Sequence, residues 1–208
     1  MEFETGCLYH IYNRGNNSQR IFFTHENYLF FLKKIAEHII PHADIIAWCL
    51  MPTHFHLLIE VVKEEIEILP ENRIKMNQEQ SQDNAAVKIK KRTINESIGI
   101  ILRSYTRAIQ KQENISGSLF QKSTKARSLN DSYLSPSYFN TEFGTFINIS
   151  DPETDYLNVC FNYIHNNPVK DGLVDNPEDW EFSSFRDYRS WENGKLVNFK
   201  KAKELGLI

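Results

Sequence analysis

The sequence is poor in cysteine, has no long apolar run and carries no excess of positive charge. Its 3 cysteines, Cys7, Cys49 and Cys160, stand far apart, are odd in number and form no CxxC pair. That argues against a disulfide framework or a thiolate zinc site and for a reducing compartment. No stretch approaches the roughly 18–20 apolar residues that span a bilayer. The opening MEFETGCLYHIYNRG has neither the basic start nor the apolar stretch of a signal peptide. No internal repeat is visible. Secreted, membrane and collagenous classes are therefore excluded, and a cytoplasmic protein is expected. What is present suffices for a core: 41% of the 208 residues are apolar, including 14 Phe and 9 Tyr. This suits one large domain, or one domain with insertions, better than two.

The net charge of −3 is unevenly spread. Between Val87 and Arg127 stand Lys88, Lys90, Lys91, Arg92, Arg103, Arg107, Lys111, Lys122, Lys125 and Arg127, opposed only by Glu96 and Glu113. One basic face on an acidic body suits a phosphate backbone. A charge run of this kind is equally well read as a solvated helix.

Periodicity gives the elements. LYHIYNR (8–14) reads as a strand ending at Gly15-Asn16-Asn17. Helical spacing runs from about His25 to Ile40, with Thr24 as N-cap and Asn27 three residues on. Ala43–Leu50 and His54–Val62 read as a hairpin joined by Met51-Pro52-Thr53. Residues 63–93 are polar, without sustained period, and are expected to be a long excursion, partly helical at most. A helix is expected over Ile94–Gln112, a short strand within Gly117–Leu129, and an irregular stretch over 130–150. A last helix runs from Asp151 to about Asn167, closed by Pro168 and Gly172. The tail carries Trp180, Phe182, Phe185 and Tyr188, expected to pack back on the body. The first six elements define an α+β, ferredoxin-like antiparallel sheet (a split βαβ) with helices on one face.

The sharpest local signal is His54-Phe55-His56. Strand alternation points both imidazoles to one face, while Phe55, Leu57, Ile59 and Val61 point to the other. Neutral imidazoles at this spacing can converge on a divalent ion. Read alone, such a pair is more often a hydrogen-bonded polar face. On the last helix, Leu157, Cys160, Phe161 and Ile164 form the buried stripe, and Tyr163 and Asn167 form an i,i+4 pair at its edge. In isolation that pair is a boundary tyrosine and a helix-ending asparagine. Together, two His on a sheet with a Tyr and an Asn one turn apart suit metal-assisted phosphoryl transfer, with a tyrosine oxygen attacking phosphorus. A phenol of pKa near 10 is a poor nucleophile at neutral pH, and a nearby divalent cation favours its ionised form. Tyr105, the competing tyrosine, lies on an apolar stripe with Ile109 as i+4 partner and reads as core.

The runs YHIYNRGNN, WCLMPTHFHLLIE, RSYTRAIQKQ, GSLFQKSTKAR, YIHNNPVKDGLV and WEFSSFRDY, spread over about residues 8–190, resemble the REP-associated tyrosine transposases. These are HUH single-strand DNA transposases with one catalytic tyrosine. The resemblance implies an HUH endonuclease fold, with one catalytic domain over 1–208, polar excursions at about 63–93 and 130–150, and a C-terminal tail from about 171. It also implies His54, His56 and Asn167 as ligands of Mg²⁺ or Mn²⁺ and Tyr163 as nucleophile. The activity implied is cutting and joining of single-stranded DNA beside imperfect hairpins through a 5′-phosphotyrosine link. Single-stranded or hairpin DNA is then the partner, with a nucleoid association when bound and the choice between monomer and homodimer open.

On that reading Arg103, Arg107 and Lys111, at i+4 spacing, offer cations to a phosphate backbone, and Lys122, Lys125 and Arg127 add a second edge. Tyr133, Tyr138 and Phe139 either stack bases or cover the core. Lys170 meets the scissile phosphate or complements the helix dipole. Two other functions stay open: a non-catalytic domesticated transposase acting as a DNA-binding protein, and a metal hydrolase whose extra carboxylate would be Glu60.

Overall fold

Alternation builds the first strand, β1 (Leu8–Arg14), which sends Tyr9 and Ile11 into one core and leaves His10, Tyr12 and Arg14 on the other face. The computed structural model describes residues 2–68, 90–130, 138–141, 144–147, 156–190 and 194–208. After β1 the chain turns so tightly that a Cβ on Gly15 would lie 2.0 Å from the Gln19 carbonyl oxygen, so only glycine fits. Helix α1 (His25–His38) starts at the expected cap, where Thr24 and Asn27 form a reciprocal capping box. The hairpin follows as β2 (Ala43–Met51) and β3 (His54–Val61).

The 63–93 stretch departs from expectation. Its ends pair as a two-stranded antiparallel ribbon, β4 (Glu65–Ile68) with β5 (Lys90–Thr93). Acidic β4 faces basic β5, and Lys91 pairs with Glu65 at 3.3 Å, which neutralises part of the positive run. The intervening residues, Lys88 among them, lie outside the described ones. Thr93 and Glu96 then cap α2 (Ile94–Glu113), and β6 (Lys125–Ser128) supplies the expected short strand. Within 130–150, expected to be irregular, β7 (Tyr138–Thr141) pairs with β8 (Gly144–Ile147); Tyr133 lies outside the described residues.

Helix α3 (Tyr156–Lys170) does not stop at Pro168 but runs on to Lys170. Proline lacks one donor and lies in the last turn, where the loss is small. The stop comes at Gly172, φ +67°, whose N–H reaches the Val169 carbonyl while Leu173 N–H reaches that of Pro168. This left-handed cap needs glycine. Two short helices, α4 (Phe185–Tyr188) and α5 (Phe199–Glu204), complete the tail.

The main sheet has the order β2-β3-β1-β6, every neighbouring pair antiparallel. Because β3 is antiparallel to both β1 and β2, those two run parallel with β3 between them, which is a split βαβ. Helices α1 and α2 lie together on one face, packing Phe31, Ile35, Ile98, Ile101 and Tyr105 onto Ile11, Phe55, Leu57 and Ile59. The last long helix, α3, covers the opposite face with Leu157, Cys160, Phe161 and Ile164. A bulge between Ile45 and Ala47 turns Ile46 and Ala47 both toward α3. The tail shields the β2 edge: Leu50 N–H donates to the Phe182 carbonyl at 2.8 Å and Ser184 N–H to that of Trp48 at 2.9 Å. No helix among the described residues is long and apolar enough to cross a membrane.

Candidate active site

The alternation that sends Phe55, Leu57, Ile59 and Val61 into the α1–α2 core puts His54 and His56 on the α3 side. Register fixes their neighbours: Tyr12 and Cys49 flank His56, and Arg14 and Met51 flank His54. The two imidazoles are 1% and 0% exposed, with ring centres 5.0 Å apart. Tyr163 and Asn167, expected at the edge of α3, are buried instead, because α3 lies against the histidines. The Tyr163 ring stands edge-on to His56 at 5.4 Å and to His10 at 6.0 Å. Asn167 Nδ2 donates to the Tyr163 carbonyl at 3.2 Å, and the Asn167 side chain lies near enough to His54 to act on its protonation. Sheet and helix thus bring His54, His56, Tyr163 and Asn167 to one place.

Burial sets the electrostatics. Desolvation lowers His54 to about 4, with Arg14 adding to the fall and the Asn167 side chain opposing it. His56 is held well below its ordinary 6.5, first by burial and then by His54 and His10. Both rings are therefore neutral at physiological pH, the form that can offer a lone pair to a metal. Their Nδ1 atoms are engaged, His54 with Thr53 Oγ1 at 3.0 Å and His56 with His10 Nε2 at 2.9 Å. That arrangement presents Nε2 as the ligating atom. Among the described residues no group of three or more His, Cys, Asp or Glu is arranged to hold a metal. The Asn167 amide oxygen could serve as a third donor, and carbonyl-type oxygen suits Mg²⁺ and Mn²⁺. The donor set fits a divalent ion.

Sequence reasoning missed His10. It is 2% exposed, its ring stacks on His56 at 5.0 Å, and burial, then Arg127, lowers it to about 3. The available signal was the alternation His10, Tyr12, Arg14 along one face of β1, and nothing local showed what that face met. Tyr12 is a second tyrosine beside His56, with ring centres 5.8 Å apart.

The expected cations do not form one surface. Lys125 and Arg127 lie on the histidine side as register neighbours of Tyr12 and His10, and Arg127 donates to the Tyr156 hydroxyl at 3.1 Å. Arg103, Arg107 and Lys122 instead line a groove on the α1–α2 side. Lys111 is exposed in the last turn of α2 outside that groove, and Lys170 is exposed at the end of α3, near Asp171. Of the aromatics considered for stacking, Tyr138 and Phe139 are placed in β7 by their backbone alone.

The competing residues separate cleanly. Tyr105 is fully buried in the α1–α2 core and donates to the Ile21 carbonyl at 2.7 Å, with its pKa raised by burial. Glu60 lies four residues beyond His56, roughly 13 Å along the strand at ~3.3 Å per residue, and pairs with Lys201 at 3.1 Å. The buried His165–Ser184 contact, 2.8 Å, is no nucleophile pair. Ser184 Oγ donates to the Trp48 carbonyl at 3.2 Å and accepts from Trp48 N–H at 2.9 Å, so the histidine is the donor to it.

Neither a known family nor a curated protein matches the chain. Among solved structures, that of a REP-associated tyrosine transposase bound to a REP hairpin is similar, with a TM-score of 0.53, 18% identity, and 96% of this chain and 92% of that chain covered. The likeness is one of fold, and it extends over nearly the whole of both chains.

Proposed function

We propose that this chain is a metal-dependent single-strand DNA transposase or endonuclease that cuts and rejoins DNA beside hairpins through a covalent 5′-phosphotyrosine. The observation that carries the reading is the meeting of the α3 pair with the β3 pair: Tyr163 at 5.4 Å from His56, and Asn167 beside His54. The likeness in fold to a hairpin-bound transposase supports it. His54, His56 and Asn167 would hold Mg²⁺ or Mn²⁺, which supplies polarisation of the scissile phosphate and neutralisation of its developing charge. Tyr163 forms the new P–O bond as the bond from phosphorus to the 3′ oxygen breaks. The phosphate stays on the 5′ end, and the phenolic proton is balanced by the one gained at the departing 3′ hydroxyl. Rejoining is the reverse, a 3′ hydroxyl displacing the tyrosine. Lys125 and Arg127 on the same face offer positive charge to the DNA backbone.

The test is a denaturing gel with labelled single-stranded hairpin DNA and Mg²⁺ or Mn²⁺. Wild-type protein is expected to give a covalent protein–DNA band and Tyr163→Phe none, with native-gel affinity nearly unchanged. An undiminished band in Tyr163→Phe would remove the nucleophile assignment. Binding without any band in either metal would leave the DNA-binding reading in its place. Glu60, the carboxylate considered for a hydrolase, is remote and paired with Lys201.

A further inference from the structure

The groove between α2 and residues 118–124 has no part in the chemistry proposed above, because it lies on the opposite side of the sheet from the histidines. Its volume is about 540 Å³, within the ~300–1,000 Å³ span of ligand sites. Its walls combine three exposed cations, Arg103, Arg107 and Lys122, with an apolar floor of Leu102, Leu119 and Phe120. No acidic residue lines it among the described residues. We propose that it is a second DNA subsite, holding a single-stranded segment that flanks the one at the histidine face. This rests on the DNA reading above and deepens it.

Two observations beyond charge support this subsite. Gly99 sits in the interior of α2, where glycine costs about 1 kcal/mol relative to alanine. A Cβ there would lie 2.8 Å from Arg103 Nη1, the movable end of an exposed side chain, so the guanidinium that lies against the helix here would have to shift. The end of the groove also adjoins the last residues of β1. Gln121 and Thr124, which close its end, accept both bonds from Asn13 Nδ2, at 3.2 and 2.9 Å. The next residue, Arg14, is paired in register with His54. On this proposal a strand leaving the His54 end passes Arg14 and rounds the end of the sheet to reach the groove on the other face. A cationic rim over an apolar floor fits an unpaired strand, whose bases need somewhere to rest, better than a duplex, which offers only its phosphates.

The experiment measures fluorescence polarisation of labelled oligo(dT) of about 12 nucleotides, inside the ~4–16 nucleotides a single-strand-binding fold covers. EDTA is present, so no cleavage enters. Combining Arg103→Gln with Arg107→Gln is expected to weaken binding about tenfold and to reduce the log–log salt slope by about 1.4, at ~0.7 per lost phosphate contact. Lys111→Gln, on the same helix outside the groove, is expected to change affinity less than about twofold. Gly99→Ala is expected to keep or raise the melting temperature and still weaken binding. Equal losses in Lys111→Gln and the arginine variant would show diffuse charge rather than a subsite, and wild-type affinity in Gly99→Ala would remove the cradle; either overturns the proposal. Because no covalent step is read, failure here is distinct from failure of the tyrosine assignment.

Discussion

At the scale of single residues, the tautomer of His56 decides whether it can bind a metal. A ligating Nε2 must be free of its proton, which places the proton on Nδ1, and Nδ1 faces His10 Nε2 at 2.9 Å. His10 then acts as acceptor and holds His56 in the ligating form, a positioning role of the kind that second-shell partners play. His10→Phe is expected to lower Mn²⁺ affinity about 10- to 100-fold, and His10→Gln, which keeps an acceptor, to recover part of it. Calorimetric titration with Mn²⁺ checks this, and unchanged affinity in His10→Phe would sink the role. His54 and His56 were legible in the sequence because strand alternation is local. His10 was not, because its partner is 46 residues away and only the β1–β3 register joins them.

At the scale of elements, the site depends on how α3 is held against β2, and the tail does part of the holding. Ser184 is buried and ties three groups together: it accepts from Trp48 N–H and from His165 of α3, and donates to the Trp48 carbonyl. Ser184→Ala leaves the Trp48 N–H and His165 buried and without that partner, at about 1–3 kcal/mol each, while the Trp48 carbonyl keeps the residue 184 N–H. A loss of about 3 kcal/mol is expected in urea unfolding, with less covalent adduct formed near the melting range. A loss under about 1 kcal/mol would show that the node does not anchor α3. The helices and the β2–β3 hairpin could be read in advance because capping residues and apolar stripes sit within a few positions of one another, as Thr24 with Asn27 shows. The β4–β5 ribbon could not, since its strands are separated by a long polar stretch and matched chiefly by charge. Of the two residues read as closing α3, Gly172 with its left-handed backbone is the stop, whereas Pro168 lies inside the last turn.

At the scale of the whole molecule, neutral histidines sealed inside both the candidate active site and the α3–tail packing make stability depend on pH. Burial lowers His10 and His165 to about 3 and His54 to about 4, and places His56 well below 6.5. In the unfolded chain each titrates near its ordinary ~6.5. Between the two values the unfolded state binds more protons than the folded one, so stability rises with pH there. It is complete above about 6.5 and is lost as pH falls toward the folded values. Each such histidine contributes about 1.4 kcal/mol per pH unit within the window, and the group about 5. A domain stable by ~5–15 kcal/mol in total cannot sustain that slope for long. The shifted carboxyls do not cancel it: Glu26, Glu37 and Glu96 are exposed, and burial raises Asp171 and Asp187, which favours the folded state only in acid. Metal-free protein is therefore expected to lose its urea resistance steeply from pH 6 downward and to unfold without denaturant near about pH 4–5. Urea midpoints by circular dichroism at pH 7, 6 and 5 give the slope directly. A midpoint constant across those three values would mean that the imidazoles are not held neutral by the fold, and the claim that the site is built ready for a cation would lose its electrostatic basis.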